Sequence, residues 1–426
     1  MGVARLRQWW ADLLASFWLR PAVMTVAAIA LAQVLVRAEG WDELPDGLDD
    51  WIYAGGAAGA RDVLGVLASA TIGVAGTTFS ITVAALTLAS SQMGPRLLRN
   101  FTRDPGNQYA LGALVATFAY SLVALRSVHD AEEGAFVPQL AVSVGLLLGF
   151  ACIGVLIWFL HHVAASISVD RVVALVHHDM TAALELACRD TPKEPPEAVA
   201  EPQNTAPLTA PGSGYLRVLD DSSLADWAAE HDAVLHLEVR PGGFVFPGSV
   251  VGHVTPTRLQ EAAQAEIERV MVLGQARSVE QDLEYAVRQL VEIALRALSP
   301  GINDPFTAIG VLDRLGASLA GLAGRNLPSG RLRREDRLRL VRPATDYGGL
   351  ADAMFHMLRQ AGETQPSVMI RLLEVLGAVA AVESDPGRNA VLARHAALAR
   401  DTALRGTEDA AARAAILERH ARFGAR

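Results

Sequence analysis

Cysteine is scarce in this chain of 426 residues: there are two, Cys152 and Cys188. Two cysteines cannot form a disulfide framework, neither lies in a CxxC or Cys/His zinc pattern, and nothing requires an oxidising compartment. Basic charge is also short. The formal net charge of −9 argues against nucleic acid as a partner, because phosphate binding needs a concentrated basic face. Catalytic signatures are missing too. There is no GxSxG, no phosphate-loop glycine motif and no HExxH, so no residue nominates itself as nucleophile or base. A membrane enzyme is therefore the third reading, behind the two given below, and no cofactor is expected. No internal repeat is evident.

Charge itself is missing from four long stretches, Pro21 to Val36, Val63 to Pro95, Pro105 to Leu125 and Gly134 to Leu160, and nothing comparable recurs later. A helix needs about 20 residues to cross the hydrocarbon core. Three stretches exceed that. The first has 16 uncharged residues, but Arg20 and Arg37 can snorkel outward while Phe17 and Trp18 anchor it at the interface. A signal peptide is the competing reading, since Arg5 and Arg7 precede an apolar run. Ala32 to Gly40 offers no clean small-x-small cleavage site, however, and three more spans follow. The expectation is a four-span transmembrane protein with the lipid bilayer as its first partner.

Orientation follows from arginine. Arg5, Arg7, Arg20, Arg96, Arg99, Arg103 and Arg171 fall on one side of four crossings; Arg37, Arg61 and Arg126 fall on the other, among acidic loops. The positive-inside rule then places both termini in the cytoplasm of a bacterial inner membrane.

The expected fold class is mainly α: a four-helix transmembrane domain followed by a cytoplasmic α+β domain, made of a small β module and a helical bundle. The transmembrane domain covers 1–168, and a helical extension covers 169–190, where Val169, Val172, Val173, Val176 and Met180 keep helical spacing. A Pro-rich linker follows over 191–214, its prolines too dense for helix or sheet. The β module covers 215–256, with Asp221 or Ser222 as a helix cap, and a helical domain covers 257–426. The apolar run Val368 to Val382 contains Arg371 and Glu374 and is read as a buried helix rather than a fifth span.

The densest motif is QDLEYAVRQLVEIALRALSPGINDPFTA, from Gln281 to Ala308. Leu283, Val287, Leu290, Ala294 and Leu298 share one helical face, while Glu284, Arg288, Glu292 and Arg296 form an i,i+4 ladder of exposed pairs on another. Ser299-Pro300-Gly301 ends that helix. Asn303-Asp304-Pro305 starts the next, with Asp304 suited to cap it, and a ligand site around Arg288, Glu292, Arg296, Asn303 and Asp304 is the alternative to a purely structural hairpin. The histidine pairs His161/His162 and His177/His178 point about 100° apart on a helix, so neither chelates one metal, and no metal site is expected.

PGGFVFPG, at 241–248, resembles hammerhead and lipoyl-like β modules, without a lysine at the turn to carry a lipoyl or biotinyl group. Taken with RQLVEIALRALSPGINDPFTA, with ASSQMGPRLLRNF at Ala89 to Phe101, and with WFLHHVAASI at Trp158 to Ile167, the sequence resembles a family of bacterial predicted integral-membrane proteins of unknown function, over roughly 20–360. The resemblance implies an inner-membrane protein with a cytoplasmic domain and brings no catalytic residue with it.

Span two is rich in Gly, Thr and Ser, and its 33 uncharged residues would reach about 50 Å as a helix. Thr77, Ser80, Ala84, Thr87 and Ser91 fall at 3-4-3-4 spacing, with Gln92 and Arg96 at the cytoplasmic mouth; Ser69, Gly73 and Thr77 add small-xxx-small spacing. These residues are candidate pore-lining positions. The functional expectation is a self-associating, homo-oligomeric channel for a small ion or solute, lined by span two and controlled by the cytoplasmic domain. A membrane-tethered sensor or scaffold whose spans only pack is the alternative.

Overall fold

The computed structural model describes residues 16–38, 53–93, 104–129, 136–166, 168–188, 204–279 and 281–424. They divide between an N-terminal unit ending at Arg171 and a C-terminal unit beginning at Val172.

Four helices in the first unit are long and apolar enough to span a membrane: α1 (Leu19–Ala38), α2 (Ala57–Met93), α3 (Pro105–Arg126) and α4 (Gln139–Ser166). Helix α1 extends two residues beyond its charge-free core at each end, by including Arg20 and Arg37, and so reaches 20 residues. Helix α3 packs on all three others and is the most buried. Lipid supplies no hydrophobic drive between helices, so close approach at small residues is what holds such a bundle. Gly112 of α3 lets Pro21 and Met24 of α1 come near, and Gly145 and Gly149 of α4 admit Leu64 and Leu67 of α2. The shared core joins Ala32, Ala60, Leu64, Tyr120, Ala124 and Val142. The buried Tyr120 hydroxyl donates to the Ala141 carbonyl at 2.8 Å.

Helix α5 (Val169–Cys188) lies mostly in the second unit, and its Val173, Val176, Met180 and Leu184 are buried at helical spacing. Strands β1 (Ala206–Thr209), β2 (Gly214–Leu219), β3 (Val234–Leu237), β4 (Phe244–Val245), β5 (Val250–Thr255), β6 (Met271–Gly274), β7 (Arg331–Arg334) and β8 (Arg337–Val341) form two sheets. Their orders are β1-β5-β3-β8-β7 and β4-β2-β6. Helix α6 (Asp221–Glu230) and α7 (Gln260–Val270) cover them, and Leu208, Leu216, Leu224, Leu235, Val254, Ile267 and Leu340 fill the core. Six helices of 15 to 21 residues follow or interleave: α8 (Leu283–Ala297), α9 (Pro305–Ala320), α10 (Tyr347–Ala361), α11 (Pro366–Val382), α12 (Pro386–Gly406) and α13 (Ala410–Gly424).

Three boundaries differ from the sequence reading. Strand β1 lies inside the stretch taken as linker, and its Pro207 is tolerated because β1 is an edge strand. The sheet does not close at 256: β6, β7 and β8 come from the stretch taken as helical, and β8 runs parallel to β3. The cap of α6 is Asp220, whose carboxylate accepts from the Ser223 amide, rather than Asp221 or Ser222. Asp221 instead holds the Arg342 guanidinium through both carboxylate oxygens. Helix α11 is the buried helix expected over Val368 to Val382, and its Arg371 pairs with Asp313 at 2.6 Å and with Glu374 at 2.9 Å.

Candidate functional site

Helix α2 buries one face and leaves the opposite one open. Ala60, Leu64, Ala68, Thr71, Ala75, Thr78 and Ala85 are buried and recur at spacings of three, four and seven, the period of one helical stripe. About 180° away run Asp62, Gly65, Ser69, Gly73, Gly76, Ser80, Ala84 and Thr87, with Thr77 beside them. Asp62, Ser69, Gly73, Gly76, Thr77, Ser80, Ala84 and Thr87 are all exposed, and an added Cβ at Gly65, Gly73 or Gly76 would meet nothing. Exposed Ile72, Phe79 and Val83 flank one edge of this strip and Val66 and Leu88 the other. A shallow concavity at its start is lined by Arg61, Asp62, Gly65, Val66, Ser69 and Ala70.

Each hydroxyl on the strip donates to the carbonyl four residues back: Ser69 to Gly65, Thr77 to Gly73, Ser80 to Gly76 and Thr87 to Val83, at 2.9–3.1 Å. The donor is thereby used, and the oxygen lone pairs remain. Ser91 and Gln92 belong to the last turn of α2, and their side chains lie outside the described residues, as does Arg96 with most of the ASSQMGPRLLRNF motif.

A polar cluster at the start of α3 was not singled out in the sequence. Asp104 caps α3 through the Gly106 amide at 2.8 Å, and its second oxygen meets His162 Nε2 at 2.5 Å. His162 stacks on Trp158, and Arg20 donates to Gln108 at 3.0 Å. Thus His162 is engaged within the bundle while His161 is exposed. His177 meets the Ser318 hydroxyl at 3.0 Å and His178 is exposed, so that pair diverges as its spacing requires. Burial, then the nearby Arg314, lowers the His177 pKa.

The SPGINDP turn joins α8 to α9. Asn303 adopts the left-handed conformation at φ +50° and accepts a hydrogen bond from Gln365 at 2.9 Å. Asp304 accepts from the Phe306 and Thr307 amides at 3.1 Å and from the Thr307 hydroxyl at 2.6 Å, and Pro305 occupies the first turn. The Thr307 hydroxyl, aided by the two amides, holds the Asp304 carboxyl below the usual carboxylate range. A depressed carboxylate pKa means the cap is intact at neutral pH and is lost only as pH falls through that lowered value. Removing such a cap costs ~0.5–2 kcal/mol. Asp304→Ala is therefore expected to lower the melting temperature of the purified chain, and Asp304→Ser to restore most of it; equal melting of Asp304→Ala and wild type would contradict the cap.

One part of the ladder differs from expectation. Glu284 is buried rather than exposed, and besides Arg288 at 3.2 Å it receives Arg240 at 2.5 Å. Next to it Asp282, also buried, caps α8 through the Tyr285 amide at 3.0 Å and binds Arg277 Nε at 2.7 Å. Burial pushes the Asp282 carboxyl upward despite Arg277. Gly242, at φ +89°, sits where any Cβ would strike the Asp282 carboxylate. The PGG turn and the start of α8, far apart in sequence, are therefore one packed unit.

Four apolar helices followed by a folded α+β domain define an integral membrane protein with a large extramembrane part. The chain belongs to the family described as Predicted membrane protein (DUF2254), which it matches over residues 15–378. It is similar to uncharacterized proteins of Mycobacterium tuberculosis and Mycobacterium bovis, each 35% identical over 391 residues, a stretch covering 88% of this chain and 74% of theirs. No solved structure matches it.

Proposed function

We propose that the protein is a homo-oligomeric channel of the bacterial inner membrane in which copies of α2 surround a path for a small ion, with both termini and the C-terminal domain cytoplasmic. The observation that carries this reading is the position of the small, hydroxylated strip. It lies opposite the face that α2 spends on α3 and α4, so packing within one chain does not account for it. A lipid-facing surface looks different: α4 exposes Leu147 and Phe150 at 67% and 70%. Gly and Ser at depth serve either close helix contact or a polar path. Hydroxyls that donate backward present oxygen lone pairs outward, and Asp62 continues the strip at one end; both favour a cation. Control by the C-terminal domain is part of the proposal. The scaffold alternative keeps the same self-association without flux, the hydroxyls serving only helix contact.

Single cysteines placed after Cys152→Ala and Cys188→Ala test the arrangement. Ser80→Cys is expected to form disulfide-linked dimers on mild oxidation in membranes, whereas Ala75→Cys, on the buried face, is not. Glu133→Cys should react with an impermeant thiol reagent outside intact cells and Ser213→Cys should not. Cross-linking at Ala75 in place of Ser80 would move the shared face, and external labelling at Ser213 would reverse the orientation.

A further inference from the structure

We propose that Asp352, His356 and His395 form a binding site for a divalent transition-metal ion, zinc by the chemistry of its donors. Asp352 and His356 stand one turn apart on α10, an i,i+4 pair that shares a face. His395 reaches them from α12. His356 Nε2 lies 3.1 Å and His395 Nε2 2.9 Å from the same Asp352 oxygen, Oδ1. One donor atom from each of the three residues falls within 4.8 Å of the others, and the two imidazole rings are 5.0 Å apart. Tetrahedral zinc with bonds of about 2.0–2.1 Å sets its ligand atoms roughly 3.3 Å apart. The two carboxylate–imidazole distances are already close to that spacing, and the widest donor pair, within 4.8 Å, would have to close on the ion.

Two imidazoles converge on one carboxylate from two helices, which is the donor set of a cation site. Asp352 Oδ1 is crowded by three nitrogen donors, since Arg394 also reaches it at 2.5 Å. His395 is 1% exposed, so packing holds its ring with Nε2 on the Asp352 carboxylate. Two imidazoles and one carboxylate suit zinc, and other late first-row divalent ions follow from the same donors. Asp352 and His356 are partly exposed, which leaves room for water at a fourth position. Arg394, half in solvent, would remain the outer hydrogen-bond partner of the carboxylate. The site would clamp α12 to α10. His395 lies beyond the 15–378 stretch shared with the family, so the third ligand belongs to a segment outside the family match.

The test uses the purified full-length chain in detergent, stripped with a chelator and titrated with zinc. Wild type is expected to bind one equivalent per chain by elemental analysis, with a rise of several degrees in melting temperature, and cobalt substituted for zinc should give the visible absorption of a tetrahedral site. His356→Asn and Asp352→Asn are each expected to weaken binding about tenfold or more and to abolish the zinc-dependent rise. His356→Asn is the safer variant for folding because that ring is partly exposed; circular dichroism of the chelated forms checks it. Absence of saturable binding by wild type, or one equivalent still bound at unchanged affinity in the Asp352→Asn, His356→Asn double variant, would overturn the proposal.

Discussion

Gly242→Ala is expected to destabilise the C-terminal unit by ~3 kcal/mol or more, a loss of about 6–12 °C in melting temperature for a unit of this size. Two effects combine. A left-handed conformation costs an alanine ~1–2 kcal/mol, and the new Cβ must displace the buried Asp282 carboxylate. Moving Asp282 removes the cap of α8 and strands the Arg277 guanidinium; breaking a buried pair of this kind costs roughly 3–5 kcal/mol, part of which local adjustment recovers. Gly248 supplies an internal control. It also has positive φ, +72°, but a Cβ there meets nothing, so Gly248→Ala should lose only the conformational term of ~1–2 kcal/mol. Thermal unfolding of the purified chain distinguishes them. Equal losses for the two alanines would contradict the coupling of the PGG turn to α8.

The membrane domain was legible because charge-free length alone identifies a span, and α4 is the most apolar of the four. The C-terminal sheet was less so. RLRREDRLRL falls in the stretch expected to be helical, yet β7 and β8 pair around a two-residue turn, Glu335-Asp336, whose positive φ values of 50° and 59° suit a hairpin. Burial there depends on a distant partner: Arg339 is 4% exposed and reaches Asp232 and the Ala233 carbonyl. Pro207 misled for a related reason, since only sheet order reveals that its strand is an edge. Spacing identified Asp304 as a possible cap because a cap is local. It could not show that Glu284 faces Arg240 or that Asp282 faces Gly242, contacts made across 40 or more positions. The pairing of Asp352 with His356 was visible as an i,i+4 spacing in DAMFH. Its third member, 39 positions on, required the fold.

The functional reading rests on α2, whose packed and open faces were assigned by burial while its hydroxyl spacing was already visible in the sequence. Leucine at Ser80 or Thr87 adds bulk to a strip that glycine, serine and alanine otherwise keep narrow, and it removes an oxygen. Both positions are exposed, so neither change disturbs the buried stripe that holds α2 to α3 and α4. Loss of function without loss of folding is the expected pattern. Thr87→Val keeps the shape and removes only the hydroxyl, and should alter selectivity more than rate. Asp62→Asn should weaken any preference for cations. The most direct measurement is ion flux in liposomes containing the purified protein, with potassium, sodium and chloride followed separately under varied voltage, tension and pH. The account predicts cation flux above protein-free liposomes, reduced to background by Ser80→Leu and by Thr87→Leu in protein that elutes and melts as wild type does. No flux of any of the three ions, or flux that both leucine variants leave unchanged, would contradict it.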